Sequence, residues 1–276
     1  MKRWLITGVG SGLGAALARA ALARGDRVAG TARKPADAEA FDAVAPGRSV
    51  GMVLDLADEV QIRAVALAAE TAVGGVDILV NNAGYGLVGA VEEASLAEAR
   101  AQFEVNLFGP LAMIQAVAPF MRARRAGHII NVTSVSGVAT WAGTGIYCAS
   151  KFALEAAGMT LADEVAPFGI KVSHVAPGGM RTNYAGSSLI ETAAKIADYD
   201  GGVVRQSRDI LKDHAGHEPG DPARVASAII ALTESDAPPR RLLLGADAVL
   251  YATRQMAADQ AEMGRWISLS LSTAFD

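Results

Sequence analysis

Arg3 to Gly25 reads RWLITGVGSGLGAALARAALARG, and the order of its three parts decides the fold. RWLIT is an apolar run of strand length, and four of the seven residues from Gly8 to Gly14 are glycine. The alanine- and leucine-rich segment that follows favours a helix, with Gly25 placed to stop it. Strand, glycine turn and helix open a βαβ unit, and the same alternation runs down the chain. RVAGTA (27–32), SVGMVLDL (49–56), VDILVNNAG (76–84), HIINVTS (128–134), IKVSHVAPGG (170–179) and RRLLLG (240–245) read as strands. Helical patterning falls at 59–72, from Leu96 to Arg125 with a break near Gly109 and Pro110, from Ile146 to Val165, and within 220–235. The expected class is α/β: one doubly wound domain over 1–276, with a seven-stranded, mostly parallel sheet and helices on both faces. Residues 180–221 show no clean period and are expected to form a loop with short helices, acting as a substrate lid. Residues 246–276 are expected to be a helical extension with an apolar tail at Trp266, Ile267 and Leu269.

Composition narrows the function classes. A formal net charge of −4, with 25 Lys and Arg scattered rather than clustered, gives no footprint for a nucleic-acid partner. A single cysteine, Cys148, excludes an internal disulfide and a cysteine-based metal site. His128, His174, His214 and His217 have no ligand spacing with carboxylates, so no metal is expected. No apolar run approaches the roughly 18 residues a bilayer span needs, so no membrane partner is expected. The N-terminus passes directly into the glycine loop, leaving no room for a signal peptide, and the expected location is cytoplasmic.

The turn containing Gly8, Ser11, Gly12, Leu13 and Gly14 lies between strand and helix, where backbone N–H groups and the helix dipole favour a bound diphosphate. Glycine turns also occur for structural reasons, so the next strand is needed to weigh the reading. An acid roughly 20 residues beyond the glycines would accept hydrogen bonds from the ribose of NAD. This chain has Ala32-Arg33-Lys34 there, and two cations attract a 2′-phosphate, Arg33 with bidentate geometry. The cofactor expected is NADP(H).

Ser134 to Lys151 reads SVSGVATWAGTGIYCASK. Tyr147 and Lys151 are four apart and share one helix face, an ammonium beside a phenol. Ser134 lies at the C-terminal end of a strand, where open α/β sheets place their ligands. Lys151 at roughly 4 Å would stabilise a phenolate by about 4 kcal/mol, worth about 3 pKa units. Trp141 is expected either to wall the substrate side or to pack in the core. With Leu87, Val88 and Tyr184 it suggests an uncharged, fairly apolar carbonyl compound.

The order TGxxxGxG, Asp55, NNAG, Asn106, Ser134, YxxxK and PGxxxT resembles the short-chain dehydrogenase/reductase family over about Arg3 to Gly245. The segment Leu161 to Asn183 resembles the branch labelled 17β-hydroxysteroid dehydrogenase-like. The resemblance implies a Rossmann fold and hydride transfer between a nicotinamide and a ketone, aldehyde or secondary alcohol. Ser134 would hydrogen-bond the reacting oxygen, Tyr147 would act as general acid/base, and Lys151 would hold the nicotinamide ribose as well. Asn106 would take part in a water relay. Asp55 and Leu56 match residues at the adenine, and Asn82, Ala83 and Gly84 match the wall beside adenine and ribose. Pro177, Gly178, Met180 and Thr182 match the nicotinamide loop. For Leu56, Ala83 and Pro177, packing or turn chemistry explains the residue equally well. The resemblance also implies a homodimer or homotetramer joined through the helices after Leu96 and Ile146. A non-catalytic NADP-binding regulator is the alternative, and a related lyase or dehalogenase would be expected to have a degenerate glycine loop.

Overall fold

The structure, a computed structural model, describes residues 1–182 and 188–275. Tyr184 therefore lies outside the described residues. Seven strands form one sheet: β1 (Arg3–Thr7), β2 (Arg27–Ala32), β3 (Ser49–Val53), β4 (Ile78–Asn81), β6 (Gly127–Val132), β7 (Ile170–Pro177) and β9 (Arg241–Leu244). Their spatial order is β3-β2-β1-β4-β6-β7-β9, and every pairing is parallel. The chain builds outward from β1 to β3, then crosses back so that β4 pairs with β1 on its other side. That switch point opens a crevice beyond the carboxyl ends of β1 and β4.

Strand alternation divides the core into two layers. Trp4, Ile6, Val28, Ile78, Val80, Ile130 and Val175 face α1 (Gly12–Ala23) and α8 (Pro222–Glu234). Leu5, Ala29, Leu79, Ile129 and Val172 face the other way, toward α3 (Glu59–Val73), α5 (Gly109–Arg124) and the end of α6 (Gly145–Val165). Period-2 side chains on a sheet covered on both faces must be apolar on both, which is why these strands read as continuous apolar runs. Each fully buried Leu or Ile contributes roughly 1.5–3 kcal/mol. Helix limits follow the caps: Asp58 accepts from the Gln61 N–H at 2.9 Å to start α3, and Gly74, at φ 81°, ends it. The remaining small helix on this edge is α2 (Pro35–Asp42).

Two expectations change. The helix from Leu96 does not break at Gly109 and Pro110. It runs from α4 (Leu96–Phe103) through a π-helical turn (Glu104–Phe108) directly into α5. Pro110 has no N–H to return to the Asn106 carbonyl, and the wider turn absorbs that missing bond one turn earlier than expected. This continuous helix is, among the described residues, the one long and apolar enough by length and composition to cross a membrane. Here Met113, Ile114, Val117 and Met121 bury its inner face in the core.

Second, the insert, expected as a loop with short helices, also contains a strand. It holds β8 (Leu189–Glu191) and an 11-residue helix, α7 (Val203–Asp213). β8 pairs in parallel with β5 (Gly86–Val88), which buries Leu87 and Val88. They are thereby packing residues rather than an open pocket wall. The extension, expected to be helical, is a single 26-residue helix, α9 (Ala246–Leu271), in which Ala248 and Ala252 are the buried residues and Trp266, Ile267 and Leu269 are exposed.

Candidate active site

Because all seven main strands are parallel, their carboxyl ends share one edge, and nearly every residue singled out in the sequence lies on it. The glycine loop is shaped by contacts that only glycine permits. Gly8 and Gly12 have φ of 77° and 57°. A Cβ at Gly14 would overlap the Gly8 carbonyl oxygen and come within 2.5 Å of Asn82 Nδ2. The N–H groups of Gly8 and Val9 both donate to Thr31 O at 2.9 Å, locking the loop to β2.

Asn82 serves the loop directly. Its Nδ2 donates to Thr7 O at 2.8 Å and to Gly8 O at 3.3 Å, and its backbone N–H donates to Thr7 Oγ1 at 2.9 Å. Ala83 N–H donates to the same hydroxyl at 3.0 Å. Thr7, inside the motif, thus ties Asn82 and Ala83 to the loop, a task its place in the sequence does not announce. Ala83 packs on Gly8, where an added Cβ would sit 3.0 Å from Ala83 Cβ.

At the start of α1 the Ser11 side chain makes no capping bond and the first turn contains no acid. The helix N-terminus therefore presents N–H groups with no side-chain acceptor, across a glycine cradle that a Cβ would fill. That is the donor arrangement a diphosphate requires. Thr182 closes the other side, within 3.5 Å of where a Gly12 Cβ would be. Leu13 is buried in the core behind the loop. Arg33 and Lys34 are exposed at the end of β2. The first turn of α2 also brings Asp37 against Gly10, a carboxylate the sequence reading did not weigh. Asp55 is exposed just past β3, with Oδ1 accepting from Ala57 N–H at 3.0 Å. Leu56 is buried beneath α5, where Gly109 allows its backbone to approach.

Beyond β7, Pro177 is buried and paired with Leu244, and Gly178 N–H donates to Leu244 O at 2.9 Å. Gly179 N–H donates to Asp247 Oδ2 at 2.8 Å. Asp247, in the first turn of α9, fixes this turn from 68 residues away, and no local pattern announces it. Met180 packs against the α1–α8 core and bridges to Gly220.

The chemical groups converge between β4, β6 and α6. Lys151 is 5% exposed, and its Nζ donates to Val132 O at 3.1 Å and lies 5.9 Å from the Tyr147 ring centroid. Burial lowers its pKa to about 8, opposed by the nearby Glu155 carboxylate. Ser134 starts a 3-10 turn (Val135–Gly137), and its Oγ accepts from Ser136 N–H at 3.0 Å. Its hydroxyl proton can still be donated outward. Asn106, in the π turn, is buried. Its Nδ2 donates to Tyr85 O at 2.9 Å and Ser150 Oγ at 3.1 Å, and its Oδ1 accepts from Tyr85 N–H at 3.1 Å. Ser150 in turn donates to Tyr147 O at 2.7 Å. The Asn106 side chain therefore ties the segment after β4 to α6. A Cβ at Gly84 would lie 3.0 Å from Asn106 Oδ1 and 3.5 Å from Lys151 Nζ, so these three residues meet.

Trp141 meets Tyr251 of α9 edge-on, with centroids 5.5 Å apart. With Ala139, Thr140, Arg254, Gln255 and Ala258 they line a groove of about 270 Å³. Trp141 is a groove wall rather than core. Facing this edge, the insert is clasped by a buried ion pair: Arg205 of α7 donates to Glu93 at 2.9 and 2.5 Å. The pair, with hydrogen bonds from the Ile196 and Ala90 N–H groups, pulls the Glu93 pKa down to about 2. Glu98 completes the clasp: it closes a capping box with Ser95 and accepts from Ala193 N–H at 2.8 Å.

A model of the family "short chain dehydrogenase" matches residues 2–192. Oxidoreductase BOA17 from Botryotinia fuckeliana is 36% identical over 275 residues, covering 99% of each chain. The crystal structure of a short-chain dehydrogenase from Streptomyces avermitilis superposes with a TM-score of 0.92 at 40% identity, over 99% of this chain and 100% of that one. Another from Burkholderia phymatum, in complex with NAD, gives 0.78 at 25% identity, over 98% and 95%. One from Burkholderia cenocepacia, in complex with NADP, gives 0.74 at 27% identity, over 96% and 98%.

Proposed function

The chain belongs to the short-chain dehydrogenase family, and from that premise we propose that it is an NADP(H)-dependent oxidoreductase interconverting a carbonyl compound and an alcohol. The observation behind this reading is the meeting of Lys151, Asn106 and Gly84, with the Tyr147 ring beside Lys151, in a fold whose glycine cradle leaves a helix N-terminus uncapped. Family membership alone supports a nicotinamide nucleotide, since structural neighbours hold NAD or NADP. The preference for NADP rests on Arg33 and Lys34, which outweigh the single carboxylate of Asp37 at that corner.

When bound, the nicotinamide nucleotide donates or accepts the hydride. The glycine loop and α1 N-terminus would hold its diphosphate, and Arg33 its 2′-phosphate. Ser134 Oγ would donate a hydrogen bond to the substrate oxygen, stabilising the negative charge that develops there. Tyr147 would deliver the proton to that oxygen during reduction and remove it during oxidation. Lys151, fixed on Val132 O, would favour the phenolate through its charge. Its Nζ lies 5.9 Å from the Tyr147 ring centroid, on the helix face the two residues share. The groove walled by Trp141 and Tyr251, with Arg254 and Gln255 also in its lining, is the proposed place for the apolar body of a substrate. The steroid-dehydrogenase-like branch remains supported by the segment Leu161 to Asn183. The exposed Phe108 and Phe152, at the start of α5 and on α6, fit the proposed oligomer contact, and the cytoplasm is the proposed location.

NADPH oxidation against a panel of ketones and aldehydes tests the proposal. Wild type should turn over, and Tyr147→Phe should bind NADPH with unchanged affinity and lose turnover. NADPH binding without turnover across a broad panel would identify a sensor instead. A preference for carboxylated or phosphorylated compounds would refute the substrate class.

A further inference from the structure

Tyr147, Lys151 and Glu155 stand at i, i+4 and i+8 on α6, so a phenol, an ammonium and a carboxylate form one stripe along a single helix face. The chemistry described so far leaves the third member without a task. Glu155 is nevertheless 3% exposed, and a carboxylate is not buried without partners. Its Oε1 accepts from Thr133 Oγ1 at 2.6 Å and its Oε2 from Arg241 Nε at 2.9 Å.

Those partners bear on the site. Thr133 immediately precedes Ser134, and its backbone N–H donates to Val175 O at 2.8 Å, so the Ser134 strand end is fixed at both backbone and side chain. Lys151 grips the preceding residue through Val132 O, and Glu155 grips Thr133. Two consecutive residues of β6 and the turn beyond it are thus seated on two consecutive turns of α6. The 3-10 turn after Ser134 lies flat on the same helix: a Cβ at Gly137 would sit 3.0 Å from Glu155 Cγ and 3.1 Å from Lys151 O. The charges facing this stripe are Lys151 on α6 itself and Arg241 on β9. Tyr147 on α6 and His174 of β7, which meets Gly158 one turn further on, are the neighbouring titratable groups.

We propose that Glu155 is a positioning residue: it orients Ser134 through Thr133 and keeps the positive charge on the desolvated Lys151. Arg241, on the far oxygen, moderates its field. The catalytic half of this inference rests on the carbonyl-reductase reading; the electrostatic half does not. Burial works against a lysine charge, and a carboxylate one helical turn away opposes that burial, in the direction found for Lys151.

The test uses Glu155→Gln, which keeps the acceptor toward Thr133 and removes the charge. Titration of Lys151 is followed in the cofactor-free protein by carbon-13 NMR of its Cε, assigned with Lys151→Arg. The alkaline limb of kcat for reduction is measured alongside. In Glu155→Gln both the titration and the limb should move acidward by about one to two pH units. Thr133→Val should lower kcat with neither moved. Should Glu155→Gln fail to fold, Arg241→Met gives the opposite sign: with the competing cation gone, the Lys151 titration should move alkaline. A Lys151 titration that stays in place in the folded charge variants overturns the proposal, whatever happens to kcat. If no carbonyl compound is reduced but the titration moves, the carbonyl-reductase reading fails and the electrostatic role of Glu155 stands.

Discussion

Glu93→Gln should release the insert that faces the active site while leaving the sheet intact. The Glu93 carboxylate is surrounded by donors alone: the Ala90 and Ile196 N–H groups at 2.9 and 2.8 Å and the two Arg205 nitrogens at 2.9 and 2.5 Å. A glutamine keeps the shape but must turn its NH₂ toward one of these donors, and it leaves Arg205 with the exposed Asp200, at 3.0 Å, as its anionic partner. The gap between a pKa of about 2 and the ordinary 4.5, at about 1.4 kcal/mol per pH unit, corresponds to about 3 kcal/mol. Breaking a buried ion pair by removing one partner lies in the same range, about 3–5 kcal/mol. Segment 188–213 is held otherwise by the short β5–β8 pairing, by Glu98, by Val204 packed at Gly143 and by the exposed Tyr199–Glu92 contact, so the loss should appear as local opening.

Hydrogen exchange measured by mass spectrometry on peptides from 188–213 is the assay, and about 3 kcal/mol predicts exchange faster by about 100-fold in the EX2 regime. The sign of the pH dependence follows from the lowered pKa. The stabilisation is complete above about 4.5 and is lost as pH falls toward 2, so wild type should open in acid whereas Glu93→Gln should respond little. Wild-type protection in the variant, or the same acid response in both proteins, would refute the reasoning. Tyr199→Phe, which removes an exposed contact to Glu92, should change protection little.

Gly14→Ala forces a methyl group into the Gly8 carbonyl and against Asn82, so α1 must move away from β1. Overpacking of this kind costs about 1–3 kcal/mol, and calorimetry should show NADPH affinity reduced at least about tenfold, whereas an unchanged Kd would contradict the role given to the cradle. Arg33→Ala removes a charge-assisted hydrogen bond worth about 1.5–3 kcal/mol, so the NADPH Kd should rise about tenfold or more with that for NADH nearly constant. A wild-type preference for NADH would refute the cofactor assignment. Lys151 has its pKa lowered from 10.5 to about 8, so the unfolded chain binds more protons between those values and wild-type stability should gain from rising pH across that window. Urea unfolding at the two ends of the window should show this gain in wild type and not in Lys151→Met; equal pH dependence would dispute the burial of a charged Lys151.

Most strands were legible because both faces of the sheet are covered, so their residues are apolar in runs that glycines and prolines punctuate. The helix at 96–124 was misread at Pro110, since a π turn has no sequence signature beyond the missing N–H it accommodates. In 180–221 the elements are held by partners distant in sequence, Glu93 to Arg205 and Gly86–Val88 to Leu189–Glu191, so the insert has little period of its own. Within the site, Gly8, Gly12 and Gly14 could be read locally because a glycine imposes its reason for being there on its own backbone. The tasks of Thr7, Asn106 and Asp247 could not, for each depends on which distant backbone its oxygen or amide meets.

By itself, the sequence determined the alternation of strand and helix, the glycine cradle and the helix face shared by Tyr147 and Lys151. All three depend on near neighbours along the chain, where the period of the backbone brings residues together. The tertiary structure alone decided that Asn82 supports the glycine loop, that Asp37 stands beside Gly10, and that Glu155 joins the Ser134 strand end to the Lys151 helix. These pairings are set by strand order and helix packing, which place in contact groups that no local spacing relates.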